Sequence, residues 1–147
     1  MTDGIRFRAT TKSDLDACTE LLSAAGLPVA DVSLERLALI AERDGKACGL
    51  IGLESYGPVG LLRSLVIDPS CRNAGLGRRL VSALEQQARS QGIDELWLLT
   101  IDADRFFERL GYRREKRDSA PPAIVATGEF SGLCPDDAVL MRKRLAT

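Results

Sequence analysis

The sequence predicts an α/β domain built on a mixed sheet, and three observations carry that prediction. Asp44-Gly45 stands between two apolar runs, the pattern of an antiparallel hairpin. Residues 60–67 form an almost wholly apolar run that leads through a Gly-containing loop into an amphipathic helix. Residues 95–100, Glu-Leu-Trp-Leu-Leu-Thr, read as a second buried strand.

Taken in order, Ile5, Phe7 and Ala9 alternate with Arg6 and Arg8, which predicts a half-buried strand. Ser13 followed by Asp16 resembles a capping box, and Leu15, Cys18, Leu21, Leu22 and Ala25 follow at helical spacing. Gly26 and Pro28 stop that helix. Residues 33–37 suggest a short second helix. The hairpin runs are 37–42 and 47–53, Gly57-Pro58 makes the next turn, and Pro69 ends the apolar strand. Residues 78–91 predict a helix with Leu80, Leu84 and Ala88 inward, closed by Gly92. A helix at 103–110 closed by Gly111 and a strand at 112–116 follow the 95–100 strand. A proline-initiated helix start at 119–122 and a last strand at 139–145 complete the chain.

Composition narrows the function. The chain has 147 residues, of which 45% are hydrophobic and 28% charged, the balance of a soluble globular domain. Lys plus Arg number 20 and Asp plus Glu 21, for a net charge of −1, which argues against a nucleic-acid partner. There is no histidine, so a Ser-His-Asp triad, a Cys-His dyad and any His-ligated metal site are excluded. The four cysteines, Cys18, Cys48, Cys71 and Cys134, form no C-x-x-C pair, and no metal is expected. The polar N-terminus lacks the apolar core of a signal peptide. The apolar runs fall far short of about 18 residues, so no membrane association is expected. A cytoplasmic location with reduced thiols follows as the expectation.

Residues 65–80 hold the clearest chemistry. Gly75 and Gly77 let backbone approach a ligand closely. The N–H groups from Asn73 to Arg78 lack helical acceptors at the positive end of a helix dipole, an arrangement that binds phosphate or pyrophosphate. Arg72, Arg78 and Arg79 add positive charge. Neither the G-x-x-x-x-G-K-[ST] loop nor the G-x-G-x-x-G fingerprint is present, and by composition alone a structural turn stays open.

The arrangement Arg72-x-x-Gly75-x-Gly77, after a strand ending Val66-Ile67-Asp68-Pro69, resembles motif A of the GCN5-related N-acetyltransferase (GNAT) superfamily. Phe106-Phe107-Glu108-Arg109-Leu110-Gly111-Tyr112 resembles the F-Y-E-K-L-G-F signature of that superfamily. The resemblance covers nearly the whole chain. It implies a single N-acetyltransferase domain over residues 1–147, with a mostly antiparallel sheet, a splayed central strand pair and helices on both faces. It implies acetyl-CoA as cosubstrate, without a metal. Leu65, Val66 and Ile67 would pair with the pantetheine arm, and Arg72, Asn73, Ala74, Gly75, Leu76, Gly77 and Arg78 would cradle the pyrophosphate. Thr100 and Phe107 would add further contacts to CoA. The implied partner is a small-molecule amine, and a homodimer is compatible with the pattern. A narrower resemblance is to the small acetyltransferases of arsenic resistance. It rests on Gly60-Leu61-Leu62-Arg63-Ser64-Leu65-Val66, Leu98-Leu99-Thr100, residues 106–112, 123–127 and 138–143, and Leu133-Cys134-Pro135.

Acetyl transfer needs a neutral amine, a polarised thioester carbonyl and a departing thiolate. A lysine-like amine, with pKa about 10.4, is neutral in roughly one molecule per thousand at pH 7, so a base helps. Without histidine the candidate base is Glu54, at the end of the strand before the splayed one; a solvated glutamate is the alternative. The N–H of Val66 or a neighbour is the candidate for polarising the carbonyl, as in an oxyanion hole. The family's tyrosine acid corresponds to Phe107, which has no hydroxyl, and Tyr112 is expected to pack in the core. Phe107 is expected to pack against the CoA arm or the core. Arg63 and the adjacent Ser64 are the candidate substrate-binding residues; Arg63 stands alone in an apolar strand and needs an anion. That anion is either an internal carboxylate such as Glu54 or a substrate carboxylate held by the two-pronged guanidinium. The cysteines read as buried or incidental, and Arg142-Lys143-Arg144 as a solvated face. A non-catalytic acyl-CoA sensor and a protein amine acetyltransferase are the rival functions.

Overall fold

The computed structural model describes residues 4–27, 33, 36–127, 130 and 138–145. Among them seven strands form a mixed, mostly antiparallel sheet in the order β1-β2-β3-β4-β5-β7-β6. The elements are β1 (Ile5–Ala9), α1 (Leu15–Ala24), β2 (Leu37–Arg43), β3 (Lys46–Tyr56), β4 (Val59–Ile67) and α2 (Leu76–Ser90). They continue with β5 (Glu95–Thr100), α3 (Asp104–Arg109), β6 (Arg113–Glu115), α4 (Pro122–Val125) and β7 (Val139–Arg144). The chain divides into two compact units, residues 1–54 with 63–87, and residues 55–62 with 88–147. No described helix is long and apolar enough to cross a membrane.

In the first unit, β1 and β2 pair antiparallel through Ile5↔Arg43 to Ala9↔Leu39, and β2 pairs with β3. The β2–β3 hairpin turns where expected, because Asp44 (φ 54°) and Gly45 (φ 78°) both take the left-handed conformation that such tight turns demand. Helix α1 begins differently from expectation. The capping box is Thr11 with Asp14, not Ser13 with Asp16: the Thr11 N–H donates to Asp14 Oδ2 at 2.7 Å, ahead of a 3₁₀ turn at Lys12–Asp14. Arg8 decides the choice. Its guanidinium grips Asp14 at 2.7 Å and Glu42 at 2.9 Å, and it holds the Asp14 carboxyl well below the usual carboxylate range. The expected helix at 33–37 lies partly outside the described residues, and Leu37 belongs to β2. The core joins Cys18 and Leu22 of α1 to Leu37, Ile40, Leu50 and Val66 of the sheet. Leu76, Leu80 and Leu84 recur every four residues on α2, and all three are buried.

In the second unit, β5 pairs in parallel with the start of β4 through Val59↔Glu95, Gly60↔Leu96 and Leu61↔Trp97. On its other side β5 pairs antiparallel with β7, which also pairs with β6. Leu61, Trp97, Ile124 and Leu140 make its core. The run Arg142-Lys143-Arg144 is not simply a solvated face. Arg142 lies 3.3 Å from Glu115 and 5.6 Å from the Trp97 ring, and Lys143 donates to the Leu110 carbonyl at 2.7 Å. The strand register brings these long side chains to acceptors that lie far away in sequence.

Candidate active site

The loop predicted to cradle an anion has the required local form. Pro69 ends β4, and Pro69–Ala74 winds as a 3₁₀ turn. Gly75 (φ 64°) reverses the chain in the left-handed region and launches α2. The first backbone bond into the helix runs from the Arg79 N–H to the Gly75 carbonyl at 3.2 Å. The N–H groups of Leu76, Gly77 and Arg78 therefore precede the helical ladder and gather at its positive end. Gly75 is exposed, and a Cβ there would meet nothing closer than 3.8 Å, so the loop leaves room for a ligand. The turn is tied to β3, because the Asp68 N–H donates to the Cys48 carbonyl at 2.7 Å.

The last residues of β4 lie against β3 with little intervening side chain. A Cβ on Gly49 would stand 2.9 Å from the Val66 carbonyl. One on Gly52 would stand 2.3 Å from the Arg36 carbonyl and 3.2 Å from both the Arg63 carbonyl and its Cγ. Glycines inside a buried strand are the legible signal of such close approach. The described β4–β5 ladder ends at Leu61↔Trp97, six residues before β4 itself ends at Ile67.

Arg63 and Glu54 come together. Arg63 Nη1 donates to Glu54 Oε2 at 2.6 Å, and the two side chains are 1% and 8% exposed. Of the two anions open to Arg63, this is the internal one. The guanidinium is closed off from solvent, and a substrate carboxylate would have to displace Glu54 to reach it. Glu54, the candidate base, has Oε2 committed to Arg63. Ser64 adopts φ 60°, which nothing in its residue type foretold. Its Oγ accepts from Arg63 Nε at 3.2 Å.

Two cysteines distant in sequence are neighbours here. Burial and the adjacent Cys71 thiol push the Cys48 thiol up to about 11, and burial pushes Cys18 up to about 11. Both stay protonated near neutral pH and are poor nucleophiles. Cys134 lies outside the described residues. In the second unit, Thr100 Oγ1 accepts from the Ala103 N–H at 3.0 Å and starts α3. Phe107 is 4% exposed, edge-on to Phe106 at 5.0 Å and to Tyr112 at 5.4 Å. Its ring packs in the core of that unit.

Comparison with known proteins gives a consistent picture. The model of the acetyltransferase (GNAT) family matches residues 9–112. An uncharacterized N-acetyltransferase of Chlorobaculum tepidum, CT2212, is 30% identical over 86 residues, which cover 58% of this chain and 55% of that protein. The amino-acid acetyltransferase of Pseudomonas fluorescens is 29% identical over 86 residues, covering 57% of this chain and 20% of that protein. The chain thus spans about half of the first relative and a fifth of the second. Among solved structures, N-acetylglutamate synthase from Neisseria gonorrhoeae, complexed with coenzyme A and N-acetyl-glutamate, superposes with a TM-score of 0.85 at 20% identity. That match covers 100% of this chain and 36% of the synthase.

Proposed function

Because the chain belongs to the acetyltransferase (GNAT) family, we propose that it transfers an acetyl group from acetyl-CoA to the amine of a small, amino-acid-like molecule. The observation that carries this reading is the left-handed Gly75 opening α2, with the N–H groups of Leu76, Gly77 and Arg78 ahead of the helical ladder. That end would hold the CoA pyrophosphate through backbone dipoles, with Arg72, Asn73 and Ala74 completing the cradle. Leu65, Val66 and Ile67 would offer backbone groups to the pantetheine arm, and the Val66 N–H would polarise the thioester carbonyl. A single acetyltransferase domain over residues 1–147 belongs to this reading, and the family match supports it over residues 9–112.

In this reading the neutral amine attacks the carbonyl carbon, the C–S bond breaks, and the amine proton leaves. CoA departs as thiolate without a protein acid, because Phe107 has no hydroxyl; a thiol pKa of about 8.5 makes that tolerable. The proton goes to solvent rather than to Glu54, whose Oε2 is held by Arg63. Glu54→Gln should therefore lower turnover by a similar factor across the pH range. Recovery at high pH, where free amine accumulates, would reinstate Glu54 as the base.

The amino-acid acetyltransferases among the relatives support an amino-acid-like acceptor. The narrower class, an organoarsenical amine, is supported by the resemblance of residues 60–66 and 133–135 to arsenic-resistance acetyltransferases. A thiol-release assay with acetyl-CoA tests the reading, using free amino acids, an amino-organoarsenical and a peptide amine. Release with an amino acid or the arsenical is expected. Release with the peptide alone would make it a protein amine acetyltransferase. CoA binding without release would favour a sensor, the reading that Phe107 in place of tyrosine keeps open.

A further inference from the structure

Ser64 sits inside β4 with φ 60°. That conformation is unfavourable for an L-residue and is common only for glycine and, less often, asparagine or aspartate. A serine held there is over-determined by its surroundings. Those surroundings form a chain of contacts. Glu54 Oε2 accepts from Arg63 Nη1 at 2.6 Å, and Arg63 Nε donates to Ser64 Oγ at 3.2 Å. Arg63 is 1% exposed, and its backbone is pressed against β3 where Gly52 has no side chain. One rigid guanidinium therefore spans from β3 to the very residue that takes the left-handed conformation. The burial pattern of β4 changes at this residue. Residues 60–63 are all buried, whereas beyond Ser64 the strand alternates, with Leu65 and Ile67 half-buried and Val66 buried.

We propose that Arg63 is a positioning residue. Anchored by Glu54, it locks Ser64 in the left-handed conformation and so sets the direction in which the backbone of Leu65, Val66 and Ile67 points. The kinetic consequence rests on the acetyl-transfer reading, since those backbone groups would hold the pantetheine arm and the thioester carbonyl. The conformational consequence stands apart from it.

Arg63→Lys keeps a cation for Glu54 but loses the planar fork that reaches Ser64. It should lower kcat about tenfold and raise the KM for acetyl-CoA several-fold, while the KM for the amine stays within about twofold. Adding Ser64→Gly to Arg63→Lys should restore at least about a third of the lost rate, because glycine takes a positive φ unaided. A structural role that merely stabilises the fold would not respond to that second change. By NMR, the intraresidue amide–Hα NOE of Ser64, strong at positive φ, should weaken in Arg63→Lys. An unchanged NOE with unchanged kcat would overturn the lock. A preserved kcat with a raised KM for the amine alone would overturn it in favour of a substrate clamp. If the wild-type protein acetylates no amine, the acetyl-transfer reading fails, and the NOE alone decides the lock.

Discussion

Replacing Arg63 with methionine is expected to destabilise the fold by about 3 kcal/mol, because it strands a carboxylate in a site built for an ion pair. The partners are 1% and 8% exposed and 2.6 Å apart, so solvent can do little to replace the lost guanidinium. In a domain of this size that corresponds to a fall of about 10 °C in Tm. The double variant Arg63→Met with Glu54→Leu removes both charges and should recover most of the loss. Thermal melts of the two single variants and the double make the comparison. Equal losses in single and double variants would mean that packing around Arg63, rather than the ion pair, sets its contribution.

The second large effect is on ligand affinity. Gly75→Val should weaken CoA binding by about a hundredfold, as measured by titration calorimetry. A branched residue is strongly disfavoured at φ 64°, so the turn must rotate out of the left-handed region. That rotation swings the N–H groups of Leu76, Gly77 and Arg78 away from a common focus. The ligand-free fold should suffer only about 1–2 kcal/mol, because a Cβ at this exposed position meets nothing closer than 3.8 Å. Unchanged CoA affinity would remove the pyrophosphate from this loop.

Much of the architecture was legible because it is written in local chemistry. Asp44-Gly45 turns a hairpin in any context that supplies two apolar flanks, and both residues take positive φ. The four-residue spacing of Leu80, Leu84 and Ala88 defines a helix face before any partner is known, and all three are buried. The 95–100 strand was placed to the residue, since its apolar run has turn residues on both sides. The turn from β4 into α2 was equally readable, because two glycines after a buried strand and before a helix are a backbone arrangement rather than a contact.

What only the tertiary structure decided depends on partners far apart in sequence. Arg63 needed an anion, but its identity is a matter of β3–β4 packing, which puts Glu54 2.6 Å away. The capping box falls at Thr11 rather than Ser13 because Arg8, itself held by Glu42 of β2 34 residues away, grips Asp14. Ser64 has no intrinsic preference for φ 60°, a conformation it takes only within the folded β4. Cys48 and Cys71, 23 positions apart, became neighbours through the tie between the loop and β3. Composition and periodicity report what a residue prefers in isolation, whereas burial of charge and backbone strain are set by what lies opposite, and only the folded chain supplies that.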